Sequence, residues 1–236
     1  TNRTKFEQSS QLGYVNPDRS ITGINAYADG VTGGNVDGTP FDNRVNLKGQ
    51  ATTWSVFATD TISLDDRWHV TLSGRYNRTH VSNQDQIKPS GVAGSLDGDY
   101  VYQRFNPAAG LAFAINPALS TYVGYSESSR TPTSIELGCA DPANPCKLPN
   151  AMAGDPPLKQ VVTKSWEAGL RGSLSRDTQW TAGVFRAQSA NDILFVAAPN
   201  ANSFGYFKNF GETLRQGIEL GLNSKQGALS YGAHYT

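Results

Sequence analysis

The chain has 236 residues with 20 basic and 20 acidic side chains, three histidines and two cysteines. The balanced charge excludes the basic footprint of a nucleic-acid-binding protein, and the length allows one large β domain or two small ones. No run approaches the ~18 apolar residues of a membrane-spanning helix, which leaves a transmembrane β-barrel open because its signal per strand is weak.

The first residues, Thr1-Asn2-Arg3, carry neither a starting Met nor a leader, and the last, His234-Tyr235-Thr236, fall inside an alternating pattern. Both ends read as cut, so the chain is expected to be a fragment. Phe6 to Val15 is an ambiguous strand candidate. Asn16 to about Gly49 is dense in Gly, Asn, Asp and Thr and is expected to be a long loop. Strand character returns at Thr52 to Leu64, with Trp54, Val56, Ala58, Ile62 and Leu64 on one parity. Asp60 intrudes on that face and Phe57 lies on the other, so a bulge or a position near a membrane edge is expected there. After the turn Asp65-Asp66-Arg67, Trp68, Val70, Leu72, Gly74 and Tyr76 alternate with His69, Thr71, Ser73, Arg75 and Asn77. This is the cleanest period-two run in the chain.

A polar loop with Gly91, Gly94 and Gly98 leads to a strand with Phe105, Pro107, Ala109, Leu111, Phe113 and Ile115 on one face. Pro107 removes a ladder donor and argues against a central strand at that point. Asn116-Pro117-Ala118 turns the chain into Leu119–Tyr125, and a long loop follows over 128–160. In Val162–Leu174, Trp166, Ala168, Leu170, Gly172 and Leu174 form an apolar face backed by Glu167, Gly169 and Arg171. Two more strands are expected at Trp180–Phe195 and Gly205–Asn223, and a last one from Leu229.

Tight turns (65–67, 116–118, 175–178, 225–227) alternate with longer loops (16–49, 82–99, 128–160, 198–204). An up-and-down barrel puts consecutive connections on opposite rims, and outer-membrane barrels keep periplasmic turns short and outer loops long. The expected fold is therefore all-β: an antiparallel transmembrane barrel segment of about nine strands, part of a larger barrel. Helical periodicity is nearly absent, save for Thr133-Ser-Ile-Glu136, whose T-x-x-E spacing could cap one helical turn.

Cys139 and Cys146 lie in a Pro-, Asn- and Asp-rich stretch with C-x6-C spacing, which suggests a local disulfide in an oxidising compartment. The rival readings are two free thiols, or a metal site that no neighbouring His or Cys would complete. His69, His80 and His234 form no ligand pair, and no nucleophile elbow, phosphate loop or zinc motif occurs, so no catalytic, metal or cofactor residues are assigned. Arg75, Arg104, Glu167, Arg171 and Glu219 occupy otherwise polar strand faces. They would line a barrel lumen, or else face solvent on one side of a soluble sandwich.

Three blocks carry a family resemblance. Tyr125-Ser-Glu-Ser-Ser-Arg130-Thr-Pro132 with Glu136-Leu137, then Trp166-Glu-Ala-Gly-Leu-Arg171, then Tyr206-Phe-Lys-Asn209 leading to Gly217-Ile-Glu-Leu220, resemble in order and spacing the barrel of TonB-dependent outer-membrane receptors. The resemblance implies a bacterial outer-membrane location and uptake of a scarce nutrient, most often a ferric siderophore. It implies as partners outer-membrane lipid, a plug domain from the N-terminal part of the same full-length chain, the TonB energy-transducing complex and a small-molecule ligand such as a ferric chelate. The lumen-facing residues above become candidate plug contacts, and Arg130 and Glu136 become candidates for the ligand side. Two alternatives stand beside it: a passive porin-like barrel, and a soluble carbohydrate-binding β-sandwich or adhesin.

Overall fold

The computed structural model describes residues 1–11, 14–15, 21–22, 34–36, 39–41, 43–86, 90–92, 95–140, 142, 146–147, 158–198 and 204–236. Its strands are β1 (Asn2–Gln11), the short pairs β2 (Tyr14–Val15) with β3 (Ile21–Thr22) and β4 (Gly34–Val36) with β5 (Thr39–Phe41), then β6 (Asn43–Ser63), β7 (Trp68–Asp85), β8 (Gly98–Asn116), β9 (Leu119–Arg130), β10 (Cys146–Lys147), β11 (Val161–Ser175), β12 (Thr178–Ala197), β13 (Phe204–Gln226) and β14 (Leu229–Tyr235). One helical turn, α1 (Ser134–Leu137), lies between β9 and β10. Nine strands form one antiparallel meander, β1-β6-β7-β8-β9-β11-β12-β13-β14, and β10 adds to the edge of β13. The meander is an open sheet of up-and-down topology, as expected for part of a barrel wall. It is a single layer, unlike the two packed sheets of a sandwich.

The register puts each expected parity on a common face. Phe57 pairs with Arg75 and Asp60 with Leu72. The polar face continues through Arg75 opposite Asn106 and Asn77 opposite Arg104. It then runs through Gly124 opposite Glu167, Ser120 opposite Arg171, and Gly183 opposite Glu219. The other face carries Trp54, Val56, Leu72, Phe105, Val123, Trp166, Leu170, Val184, Ile218 and Leu220, all exposed. A water-soluble surface does not present so wide an apolar sheet face, whereas a lipid-facing wall must.

Several expectations need correction. The loop expected to run to Gly49 ends earlier, because β6 starts at Asn43 and pairs with β1 from Gln11 inward. Its pairing with β7 runs without a register shift from Leu47 to Ser63, so there is no bulge around Asp60. Asp60 lies instead on the outward face opposite Leu72, towards the short-turn end of β6. Pro107 does sit in a central strand, opposite Gly74. The β8–β9 ladder, however, stops at Ala108, so the missing donor falls where β9 departs and no bond to β9 is lost. β7 reaches Asp85 and β9 reaches Arg130, so the outer loops are shorter than expected. Much of the sequence expected as loop, including 16–20, 23–33, 148–157 and 199–203, lies outside the described residues.

The short turns are built locally. Asp65 Oδ1 accepts the backbone N–H groups of Arg67 and Trp68 at 2.8 and 2.7 Å. Those two bonds hold its carboxyl below the usual Asp range.

Candidate functional site

On the long-loop rim, residues 131–140 leave β9 and cross the polar face. Thr133 starts α1 with a capping box: its side chain accepts Glu136 N–H at 3.2 Å, and Glu136 Oε2 accepts Thr133 N–H at 2.7 Å. Four helical residues cannot persist alone, so packing must hold them. Ile135 packs on one side of the turn against the buried cluster of Leu47 and Leu96, which Phe6 also covers. Leu137 is fully buried on the other with Val81, Ala140, Leu158, Val161 and Ile193. Gly49 permits the approach: a Cβ there would lie 2.5 Å from Ser134 Oγ.

The strap then reaches β13. Cys139 C=O accepts the Phe207 N–H at 2.6 Å, and Cys146–Lys147 pairs with Gly205 and Phe204. Cys139 is buried and disulfide-bonded. On the return leg the Asn209 carboxamide holds the Lys159 backbone from both sides, accepting its N–H at 2.7 Å and donating to its C=O at 3.0 Å. Tyr102 Oη donates to Leu158 C=O at 3.0 Å, and Gln160 Nε2 donates to Gln103 C=O at 3.1 Å. These contacts fill the gap left where β8 and β9 part.

Beneath this strap is a recess of about 280 Å³ lined by Thr53, Arg75, Asn77, Thr79, Tyr102, Ser129, Arg130, Thr131 and Gln160. A larger hollow of about 590 Å³ lies at the opposite rim, around Arg176, Asn223 and Tyr231. It lies on the short-turn side, away from the strap. Arg75 donates to Asn77 Oδ1 at 2.8 Å and Ser55 Oγ at 3.0 Å, with its guanidinium 6.0 Å from the Phe57 ring. Arg104 pairs with Glu127 at 2.5 Å, and the Tyr125 hydroxyl donates to the same carboxylate at 2.6 Å. The Glu167 side chain lies over Gly124, and the Arg171 guanidinium sits 4.3 Å from the Tyr122 ring centroid.

The seven side chains singled out in sequence are therefore distributed in two ways. Arg75 and Arg130 meet at the recess, whereas Glu167, Arg171 and Glu219 are spread along the polar wall below. Arg130 and Glu136 form an ion pair at 2.8 Å, and Glu136 is also the helix cap, so its carboxylate is committed within the strap. Sequence reasoning missed Tyr102, Gln160 and Asn209. The signal for Asn209 was present in the Tyr206-Phe-Lys-Asn block, but its partner at Lys159 is 50 residues away.

Comparison with known proteins gives one consistent answer. Residues 2–236 match the family model described as TonB dependent receptor-like, beta-barrel. The ferrioxamine B receptor of Salmonella typhimurium (strain LT2) is 29% identical over 156 residues, covering 66% of this chain and 18% of that protein. The ferrioxamine receptor of Yersinia enterocolitica is 26% identical over 232 residues, covering 96% of this chain and 28% of that protein. The chain thus spans less than a third of the length of either relative. Among solved structures, the hemophore receptor of Serratia marcescens superposes with a TM-score of 0.61 at 18% identity, over 80% of this chain and 34% of that one. The alcaligin outer membrane receptor of Bordetella pertussis gives 0.56 at 16% identity, over 80% of this chain and 30% of that one. The meander, the exposed apolar face, the alternation of short turns and long loops, and the family model agree: this chain belongs to the TonB-dependent receptor-like β-barrel family and is a wall segment of an outer-membrane barrel.

Proposed function

We propose that this wall belongs to a receptor that imports a ferric siderophore with energy supplied through TonB, and that ferrioxamines are the first ligands to try. The observation that carries this reading is the match to two ferrioxamine receptors, one of them along 96% of the chain. In the proposed protein, a plug domain from the remainder of the full-length chain fills the lumen. Arg75, Arg104, Glu167, Arg171 and Glu219 face it, and the recess with Arg75 and Arg130 lies on the ligand side. The strap above that recess fits a receptor that selects its cargo better than it fits a passive pore. The test is growth on ferrioxamine as sole iron source in a host lacking its own ferrioxamine receptor, with the full-length protein supplied. Growth should require both the protein and an intact TonB system. Growth that persists without TonB would favour the porin-like reading, and no growth on any ferric chelate would remove siderophore import altogether.

We further propose that Cys139 is bonded to Cys146, the only other cysteine of the chain. Thiol labelling of the unreduced, denatured protein should then modify neither residue. Labelling of both would end the proposal.

A further inference from the structure

Below Asn106 the inward face of β8 carries Ala108, Gly110, Ala112 and Ala114, so nothing larger than a methyl stands on it. The strands on either side are built up, with Ser73, Thr71 and His69 on β7, and Glu167 and Arg171 on β11 beyond β9. The wall does not require glycine at the centre of this strip. A Cβ on Gly110 would meet only Val123 C=O at 3.9 Å and Thr71 Cβ at 4.0 Å, ordinary contact distances. Other glycines nearby are accounted for by the wall's own packing. A Cβ on Gly124 would lie 3.2 Å from Glu167, and Cβ atoms on Gly169 and Gly183 would lie 2.7 and 3.0 Å from Tyr122 Oη. Tyr122 is thereby laid over β11 and β12, with Arg171 stacked on it, and away from β8. A strand glycine that packing does not demand marks the close approach of a ligand or another backbone.

Three hollows follow one another down the strip. The recess of about 280 Å³ under the strap is the first. A second, of about 260 Å³, lies among Ser73, Gly110, Ser126 and Glu167. A third, of about 420 Å³, lies among Ala114, Ser120, Arg171 and Gln179 at the short-turn rim. Arg75 of the first is two residues above Ser73 of the second, and Gly110 is four above Ala114 of the third, all on one face. At ~3.4 Å per residue, Asn106 to Ala114 covers roughly 27 Å along the strand, a large part of the way across the bilayer. The side chains bordering this path are mostly hydroxyls and charges. A firmly docked domain seats on an apolar core, whereas a passing solute needs exchangeable polar contacts. At the head of the strip Asn106 is only 7% exposed, and its Oδ1 has no hydrogen-bond partner among the described residues. It is an acceptor left for a partner that the wall does not supply.

We propose that the inward strip of β8 and β9 is the track along which an imported ferric chelate passes between wall and plug, from the recess to the short-turn rim. This rests on the import reading above and adds the route. The probe is radiolabelled ferric ferrioxamine B, given to cells whose only receptor for it is the full-length protein. Binding is read on de-energised cells and uptake on energised ones. Gly110→Leu and Ala112→Leu should each lower the uptake rate about tenfold or more while binding affinity stays within about twofold. Thr59→Leu, which adds similar bulk to the inward face of β6, should leave both unchanged. Calorimetry of the purified receptor should show no lowered unfolding transition in either strip variant. If one of them does not fold, the other carries the test from the adjacent row. A plug seated in the strip would be loosened instead, so a lowered transition, or binding lost in step with uptake, overturns the track. Unchanged uptake in both strip variants, or an equal loss in Thr59→Leu, also overturns it and leaves the import reading intact. A wild type that imports no ferrioxamine removes the import reading itself, and the track with it.

Discussion

Leu170→Arg is expected to destabilise the lipid-embedded barrel by about 2–4 kcal/mol, the range for a cation on the lipid face near the bilayer midplane. Leu170 is 39% exposed on the outward face of β11, in a row with Ala182 and Leu220. It lies six residues above the short turn at 176–177, so at ~3.3 Å per residue on a tilted strand it sits well inside the hydrocarbon. Arg171, one residue on, points to the other face over the Tyr122 ring. Arg171→Ala should therefore cost only the cation–π contact, about 0.5–1 kcal/mol, and leave lipid contacts untouched. The measurement is equilibrium folding of the full-length barrel into phosphatidylcholine vesicles, comparing each variant with wild type. Equal tolerance of the two substitutions would contradict the assignment of faces, as would cooperative folding of the wild type in water without lipid.

The contrast between neighbours also explains what the sequence could reveal. Within the bilayer most strands keep one polarity per face, with Phe57 and Asp60 on β6 as exceptions. Trp68 to Asn77 and Trp166 to Leu174 are therefore legible by period two alone. Above the bilayer that code reverses. On β6 and β7 the inward residues Leu47, Gly49, Ala51 and Val81 are apolar or small because the strap packs there. The outward residues Lys48, Gln50, Arg78 and His80 are polar because they meet headgroups or water. A single pattern cannot describe a strand whose faces exchange roles halfway along, which is why Asn43–Gly49 read as loop. The capping box was legible because its partners are three residues apart. The crossing to β13 was not, because Phe207 and Asn209 meet Cys139 and Lys159 through contacts of long sequence separation.

The strap itself gives the second large expected effect. Leu137 is fully buried in the cluster that joins α1 to β7, β11 and β12. Leu137→Ala should remove about 2–5 kcal/mol from the docking of residues 131–140, the usual cost of a buried Leu truncated to Ala. Thr133→Ala, which deletes only the cap, should remove about 1 kcal/mol. Neither change touches a strand ladder, so both losses should appear as local opening while the wall keeps its global stability. Hydrogen exchange separates the two scales. The Phe207 and Lys159 amides are donated to Cys139 C=O and Asn209 Oδ1, so they report the strap. The amides of Ala168 and Gly183, deep in the β11–β12 ladder, report the wall. In Leu137→Ala the first pair should exchange faster by one to three orders of magnitude, with the second pair unchanged. Acceleration of both pairs together would mean that the strap is part of the wall's own cooperative unit. No acceleration at Phe207 would mean that Leu137 does not hold the strap, and that the disulfide and the Asn209 clamp suffice without it.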